Sequence, residues 1–437
     1  MSDDPWEELR HLPPGTRIEL RDAQGTTWAG IALPRHDFSG ERILPLKLAS
    51  GYNVGVRIEP GARVLRREPG LPFAPERGEP TGSQGLSPPP AGGSPIALLT
   101  TGGTIASRID YRTGGVRPVQ TEEELRQLHP ELAESGPVRI VPVMDRLSEN
   151  IRPEDWTAIA GAVREAFAAG ARGVVVSHGT DTLAYTAAAL GFLLPRLPGP
   201  VVLVGAQRSP DRPSSDGRSN LQAAFRIARS EPLGEVVVVM HAGPGDDRFA
   251  VHRGTRVRKM HTTRRDAFHT VEGGPLGILE GGTVRWSESP RPPVDGTPPV
   301  VGGIDPRGRL LWIVPGLSSD LARRIAEGAR GIVLAGTGLG HVPEDHLDWI
   351  ADAIGAGVVV AMTSQCLGGA VDPYVYATGR ALVRRGVAYL GDMLPETAYV
   401  KLLWALSMET TAEGVRRRLA EPVAGEMRDR RSLEGSP

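Results

Sequence analysis

The sequence has a single cysteine, Cys366, among 437 residues. An internal disulfide framework is therefore excluded, and the chain fits a reducing compartment. Net charge is also scarce: 50 basic residues stand against 51 acidic ones, a balance of −1. No global field draws the chain to nucleic acid, although a local patch is compatible with that balance. No apolar run approaches the roughly 20 residues that a membrane span needs. The opening residues, Met1-Ser2-Asp3-Asp4-Pro5, are acidic and polar rather than a signal peptide. No period of about 20 to 50 residues points to a solenoid. No G-x-x-x-x-G-K-[ST] loop offers a phosphate cradle for a nucleotide. The expectation is a soluble cytoplasmic protein, long enough for two or three domains.

What is present begins with short alternating runs between residues 15 and 66. They are Arg17-Ile18-Glu19-Leu20, Thr27-Trp28-Ala29-Gly30-Ile31, Leu46-Lys47-Leu48 and Val54-Gly55-Val56-Arg57-Ile58. Turn residues separate them, as at Asp22-Ala23-Gln24-Gly25. Period-two alternation with such turns predicts a small antiparallel β-barrel over residues 1–67. It carries no catalytic constellation, and either packing or RNA contact would suit it. Residues 68–95 are rich in Pro, Gly and Ser and read as a linker.

From residue 96 the pattern changes to apolar strands alternating with helices. Gly173-Val174-Val175-Val176-Ser177, Pro200 to Gly205 and Glu235 to Met240 read as buried parallel strands. Helices are expected at Pro153 to Ala168, Thr182 to Leu194 and Ser219 to Arg229. The βαβαβ order predicts a doubly wound sheet over residues 96–298. A smaller α/β unit is expected over residues 299–437. Its strands are at Leu310 to Val314, Gly331 to Ala335 and Val358 to Met362, and its helices at Ser319 to Gly328 and Glu344 to Ile354. The charged end, Glu413 to Pro437, is expected to fray.

Three segments that follow strands hold the reactive residue types. The first is Thr101-Gly102-Gly103-Thr104, with Tyr111 beyond it. Its glycines let the backbone turn tightly and approach a ligand, at the strand end where open α/β sheets bind. The second is Ser177-His178-Gly179-Thr180-Asp181-Thr182. The third is Lys259-Met260-His261-Thr262-Thr263, reached through what reads as a long polar loop beginning at Gly243. Two threonines, a lysine, an aspartate and a tyrosine suit nucleophilic attack on an amide. A threonine hydroxyl needs a neighbouring base. A lysine can supply one when burial favours its free amine. Backbone N–H groups in a glycine turn can hold the oxyanion. Each piece also has an ordinary reading. Thr104 fits a helix cap, Lys259 a solvated cation, and His178 a satisfied core histidine.

Thr-Gly-Gly-Thr-Ile and His-Gly-Thr-Asp-Thr, each after a strand, together resemble the two signatures of the bacterial-type L-asparaginase and glutaminase family. Gly205-Ala206-Gln207-Arg208, Asp216-Gly217 and Asn220-Leu221 are further landmarks, and the resemblance covers roughly residues 96 to 425. It implies an asparaginase-like two-domain doubly wound parallel-sheet module of class α/β, preceded by the small β-barrel. It also implies roles. Thr104 would be the nucleophile and Tyr111 its activator. Thr180, Asp181 and Lys259 would form a second triad. Ser148 and Glu149 would hold the substrate head group, with Asp181 on its ammonium and Gly103 and Gly179 lining the site.

Other stretches are similar to the D subunits of archaeal glutamyl-tRNA(Gln) amidotransferases. They include Ser50-Gly51-Tyr52-Asn53-Val54-Gly55, Leu147-Ser148-Glu149-Asn150, Ser364-Gln365-Cys366-Leu367-Gly368-Gly369 and Asp392 to Leu402. The linker is longer and richer in proline than that family leads one to expect. The similarity implies a glutaminase subunit acting on glutamine or asparagine through a threonyl-acyl intermediate. It implies a homodimer through the asparaginase-like domains and a kinase/transamidase partner, the E subunit of such complexes. Glu-tRNA(Gln) would be held mainly by that partner. No cofactor is expected in this chain; ATP and Mg²⁺ are expected at the partner. A free-standing asparaginase and a catalytically idle assembly module are the alternatives. The N-terminal barrel argues against the first, and the complete set of reactive residues against the second.

Overall fold

The computed structural model describes residues 4–13, 15–33, 41–48, 53–68, 94–102, 107–110, 115–118, 137–208 and 215–428. A short helix, α1 (Trp6–Leu9), precedes five strands: β1 (Arg17–Arg21), β2 (Thr27–Ala32), β3 (Ile43–Leu48), β4 (Asn53–Arg57) and β5 (Arg63–Glu68). All pair antiparallel in the order β4-β3-β2-β1-β5. Period-two alternation puts Ile18, Leu20, Leu44, Leu46 and Val56 into one small core with Trp6 and Leu9. The β1–β2 turn is set by Asp22, whose carboxylate accepts from the backbone N–H of Gln24 and Thr26. Most of the expected linker, residues 69–93, lies outside the described residues.

The central sheet has eight strands. Five are parallel: β6 (Ile96–Thr100), β9 (Val138–Pro142), β10 (Gly173–Ser177), β11 (Val201–Val204) and β12 (Val236–His241). Between β6 and β9 runs a hairpin, β7 (Ser107–Asp110) with β8 (Gly115–Pro118). The sheet order is β17-β16-β13-β12-β11-β10-β6-β9, where β13 (Arg248–Arg253), β16 (Gly277–Glu280) and β17 (Thr283–Trp286) extend it antiparallel. Helices α2 (Pro153–Ala168) and α3 (Leu183–Leu193) cover one face, and α4 (Gly217–Ser230) covers the other. The parallel strands are apolar along their length because both faces are covered.

One expectation is corrected here. The stretch after Met240 is not a long polar loop, because β13 occupies its middle. Phe249, Ala250 and Val251 are buried there, between flanking charges that mask the short run in the sequence. A second hairpin, β14 (Val257–Lys259) with β15 (Phe268–Thr270), follows and carries Lys259 at its end.

The smaller unit is a parallel sheet of β18 (Gly308–Trp312), β19 (Gly331–Gly336), β20 (Val359–Ser364) and β21 (Ala388–Tyr389), in that order. Its helices are α5 (Ser319–Ala326), α6 (Leu347–Gly355), α7 (Ala377–Arg384), α8 (Pro395–Met408) and α9 (Ala412–Ala420). The two units share one core. Trp404 of α8 stacks on Phe192 of α3 at 5.7 Å between ring centres. No described helix is long and apolar enough to cross a membrane.

The charged end does not fray over Glu413 to Arg428. Val415 and Leu419, one turn apart, sit in the core while the charges of α9 face outward. Beyond α9, Glu426 turns back inside and meets Lys401 of α8 at 2.6 Å, with both side chains fully buried. Lys401 Nζ also donates to the carbonyls of Leu419 and Glu421, and Glu426 accepts from the N–H groups of Val423 and Ala424. Burial pushes the Lys401 ammonium below its ordinary pKa, and the Glu426 carboxylate opposes that push. Glu426→Ala strands a buried cation and is expected to cost about 3–5 kcal/mol. The Lys401→Met, Glu426→Leu pair should lose clearly less. Urea unfolding of the three chains checks this, and equal losses would contradict it.

Candidate active site

The site forms where β6 and β10 end side by side. Their parallel register places Thr100 beside Ser177. Thr101 then anchors one turn to the other: its N–H and its hydroxyl both donate to the Ser177 carbonyl, at 3.2 and 2.9 Å. Gly102 follows with φ +102°, and a Cβ there would lie 2.2 Å from the Arg146 carbonyl oxygen. Only glycine fits both that backbone and that space. Gly103, Thr104 and Tyr111 lie outside the described residues.

The second turn carries Gly179, Thr180 and Asp181. A side chain at Gly179 would meet Ser148 Oγ at 2.8 Å, so the turn and residues Ser148–Asn150 pack backbone to side chain. Two hydrogen bonds lock that contact. Asp181 N–H donates to Ser148 Oγ at 3.3 Å, and the Thr182 hydroxyl donates to the Ser148 carbonyl at 2.6 Å. Ser148 is buried and Glu149 is exposed beside it.

Lys259 arrives from the β14–β15 hairpin. Its Nζ lies 2.9 Å from Thr180 Oγ1 and 2.7 Å from Asp181 Oδ1. The lysine is 17% exposed and the aspartate 64%, so Asp181 presents its free side to solvent. Thr180, Asp181 and Lys259, far apart in sequence, thus form one cluster with Ser148 behind it. An ammonium held this way donates to both oxygens. As the free amine it can accept the Thr180 proton across the same 2.9 Å.

His178 takes its ordinary reading. It is buried, its Nδ1–H donates to the Gly179 carbonyl at 2.7 Å, and its Nε2 accepts from the Thr186 hydroxyl at 2.8 Å. Burial pulls its pKa down to about 4, against a smaller upward push from the Gly179 carbonyl. Burial likewise takes His252 to about 3. Both are neutral when folded and protonate near pH 6.5 when unfolded, so the unfolded chain binds more protons below that pH. Stability is therefore full above about pH 6.5 and falls toward pH 4, by up to ~1.4 kcal/mol per pH unit for each histidine. Thermal melts between pH 7 and 4.5 should show that slope, and His178→Asn should flatten it. A melting profile equally steep in His178→Asn would contradict the assignment.

Two loops behind the triad are fixed by buried polar groups. Asp216 accepts from the N–H groups of Gln207 and Arg208 and from Asn220 Nδ2. Asn220 and Asp216 belong to the motif landmarks in the sequence. His241, Asp246 and Arg265, which extend the same network, were missed. The only trace they leave in the sequence is a histidine at the carboxyl end of a buried strand.

The chain matches three family models in succession. They are the GatD N-terminal domain over residues 12–65, the asparaginase N-terminal domain over 95–292, and the glutaminase/asparaginase C-terminal domain over 309–419. It is similar to the thermostable L-asparaginase from Thermococcus kodakarensis, with TM-score 0.70 and 33% identity over 77% of this chain and 99% of that one. It is also similar to L-asparaginase I from Vibrio cholerae, with TM-score 0.66 and 29% identity over 77% and 100%. The D subunit of glutamyl-tRNA(Gln) amidotransferase from Pyrococcus abyssi is 44% identical over 98% of both chains. The Methanopyrus kandleri protein of that name is 43% identical over 97% of this chain and 93% of its own. By this near end-to-end identity, and by the N-terminal domain that precedes the asparaginase fold, the chain belongs to the family of glutamyl-tRNA(Gln) amidotransferase D subunits.

Proposed function

We propose that the chain is the glutaminase subunit of a tRNA-dependent amidotransferase. The observation that carries the reading is Lys259 Nζ poised between Thr180 Oγ1 and Asp181 Oδ1 at the strand ends. Identity to the named D subunits over nearly the whole chain supports it, N-terminal domain included.

In this reading the Thr104 hydroxyl attacks the carboxamide carbon of glutamine. A C–O bond forms, the C–N bond breaks, and the leaving nitrogen takes a proton and departs as ammonia. Tyr111 assists the attack. Backbone N–H groups of the Gly102–Gly103 turn hold the oxyanion. Water then opens the threonyl ester, with Thr180 and Lys259 taking its proton, to give glutamate. Ser148, Glu149 and Asp181 hold the amino-acid head group, and Gly103 and Gly179 let the substrate approach the backbone. Asparagine is the shorter candidate substrate. The chain acts as a homodimer in the cytoplasm and passes ammonia to the E subunit. That partner binds ATP and Mg²⁺ and amidates Glu-tRNA(Gln).

An unpartnered glutaminase would waste glutamine, and a misplacement of about 1 Å can cost roughly 100-fold in rate. Turnover is therefore expected to be slow for the isolated chain and faster for the complex with charged tRNA. The test is ammonia release by the chain alone, the complex, and the complex with Glu-tRNA(Gln). Equal rates would remove the coupling and leave the amidase. A chain that elutes alone from native extract and prefers asparagine would instead be a free-standing asparaginase.

A further inference from the structure

A polar circuit runs along the carboxyl edge of the sheet and returns to Lys259. It starts at the Gly205 turn after β11. That turn presses on Thr180: a Cβ on Gly205 would lie 2.8 Å from Thr180 Cγ2. Asn220 of α4 holds the turn, its Nδ2 donating to the Gly205 carbonyl and to Asp216 Oδ2, each at 3.0 Å. Both partners are acceptors, so the Asn220 amide has one orientation, with Oδ1 toward His241.

His241 ends β12 and is fully buried. Its Nδ1 lies 2.6 Å from Asn220 Oδ1, so Nδ1 carries a hydrogen. Its Nε2 lies 2.9 Å from Asp246 Oδ1. That carboxylate also accepts from the Ser219 hydroxyl at 2.9 Å and from Arg265 Nη1 at 3.1 Å. Nε2 also lies 3.5 Å from the Ser219 hydroxyl, so both ring nitrogens are engaged and the ring is held in one position. Asp246 meets the buried ring from the exposed side.

Arg265 completes the path. It sits in the turn between β14 and β15 and donates to the Pro244 carbonyl as well as to Asp246. The hairpin tip is thereby tied to the Asp246 turn, and Lys259 is the last residue of β14, paired with Phe268. The circuit closes where Lys259 Nζ meets Thr180 Oγ1 at 2.9 Å.

We propose that His241, through Asp246 and Arg265, is a positioning residue that sets Lys259 against Thr180. The inference rests on the assignment of Lys259 above. His241 touches no reacting atom. Its Nε2 contact holds Asp246 where Arg265 can reach it, and Arg265 fixes the height of the hairpin over the Thr180 turn.

The test is steady-state glutamine hydrolysis by the complex carrying His241→Gln, Asp246→Asn, Arg265→Met, Arg265→Lys and Lys259→Met, with melting temperature measured for each. Each of the first three is expected to lower kcat by about 10- to 100-fold, with KM within about twofold. Arg265→Lys should recover part of the Arg265→Met loss. The His241→Gln, Asp246→Asn double variant should be no slower than the worse single one, because the two act as one unit. If His241→Gln does not fold, Asp246→Asn, at an exposed side chain, and Arg265→Met carry the test. Folded variants with wild-type kcat, or losses that multiply, would overturn the proposal. If Lys259→Met keeps wild-type turnover, the assignment of Lys259 falls and the inference with it. If Lys259→Met is dead while Asp246→Asn and Arg265→Met turn over normally, the inference falls alone.

Discussion

Thr104→Val in the full complex is expected to release no measurable ammonia from glutamine. Valine keeps the branched shape and removes the attacking oxygen, so no ester can form. Loss of a nucleophile that works with a base as one unit exceeds about 10⁴-fold in kcat, and the oxyanion donors and binding contacts account for the residual activity. The partner's site is untouched, so Gln-tRNA should still form when ammonium salt replaces glutamine. The paired assay is therefore specific: glutamine-dependent product vanishes and ammonium-dependent product stays. Turnover near the wild-type value with glutamine would mean that another residue attacks.

Lys259→Met should be the next largest loss. The side chain keeps its length and apolar stem and gives up the proton acceptor. General-base contributions run to about 10²–10⁴ in rate, and a loss in that range is expected without a fall in melting temperature. Thr180→Val should cost a similar factor, because it breaks the same 2.9 Å contact from the other side. The double variant is expected to match the worse single one. A double variant slowed by the full product of the two would show independent action and end the idea of a shared relay. Asp181→Asn separates the remaining role. It keeps a hydrogen-bond acceptor for Lys259 and loses the charge that faces solvent, so KM for the α-ammonium of the substrate should rise more than kcat falls.

The central strands were legible because both of their faces are buried. Val174 to Ser177 needs no partner information to be read as a strand, and the helix at Pro153–Ala168 announces its start by proline and two acids. Thr180 and Asp181 could be nominated because they follow such a strand directly. Lys259 could be nominated by residue type, but its grouping with Thr180 and Asp181 came only from the family resemblance, since nothing near it in sequence brings it to Thr180; the hairpin that carries it does that. Strand β13 was hidden for a related reason. Its apolar run is short, and Arg248 and Arg253 at its ends pair with Glu280 and Glu235 from distant segments. The order of α9 was hidden because its apolar stripe is only Val415 and Leu419, set among charged residues. Sequence reveals a contact when periodicity within one element implies it. It conceals a contact that two elements make jointly.

The Lys401–Glu426 pair has a consequence for synthesis on the ribosome. Residue 401 leaves the exit tunnel before residue 426 exists outside it, so α8 emerges with an ammonium and no counter-ion. Seating the helix against α3 with that charge bare carries the same cost, about 3–5 kcal/mol, as Glu426→Ala. A chain cut before Glu426 is therefore expected to be less stable by about that amount, and more open to proteolysis around the Phe192–Trp404 contact. The buried pair thus ties the stability of the shared core to a residue beyond the last helix.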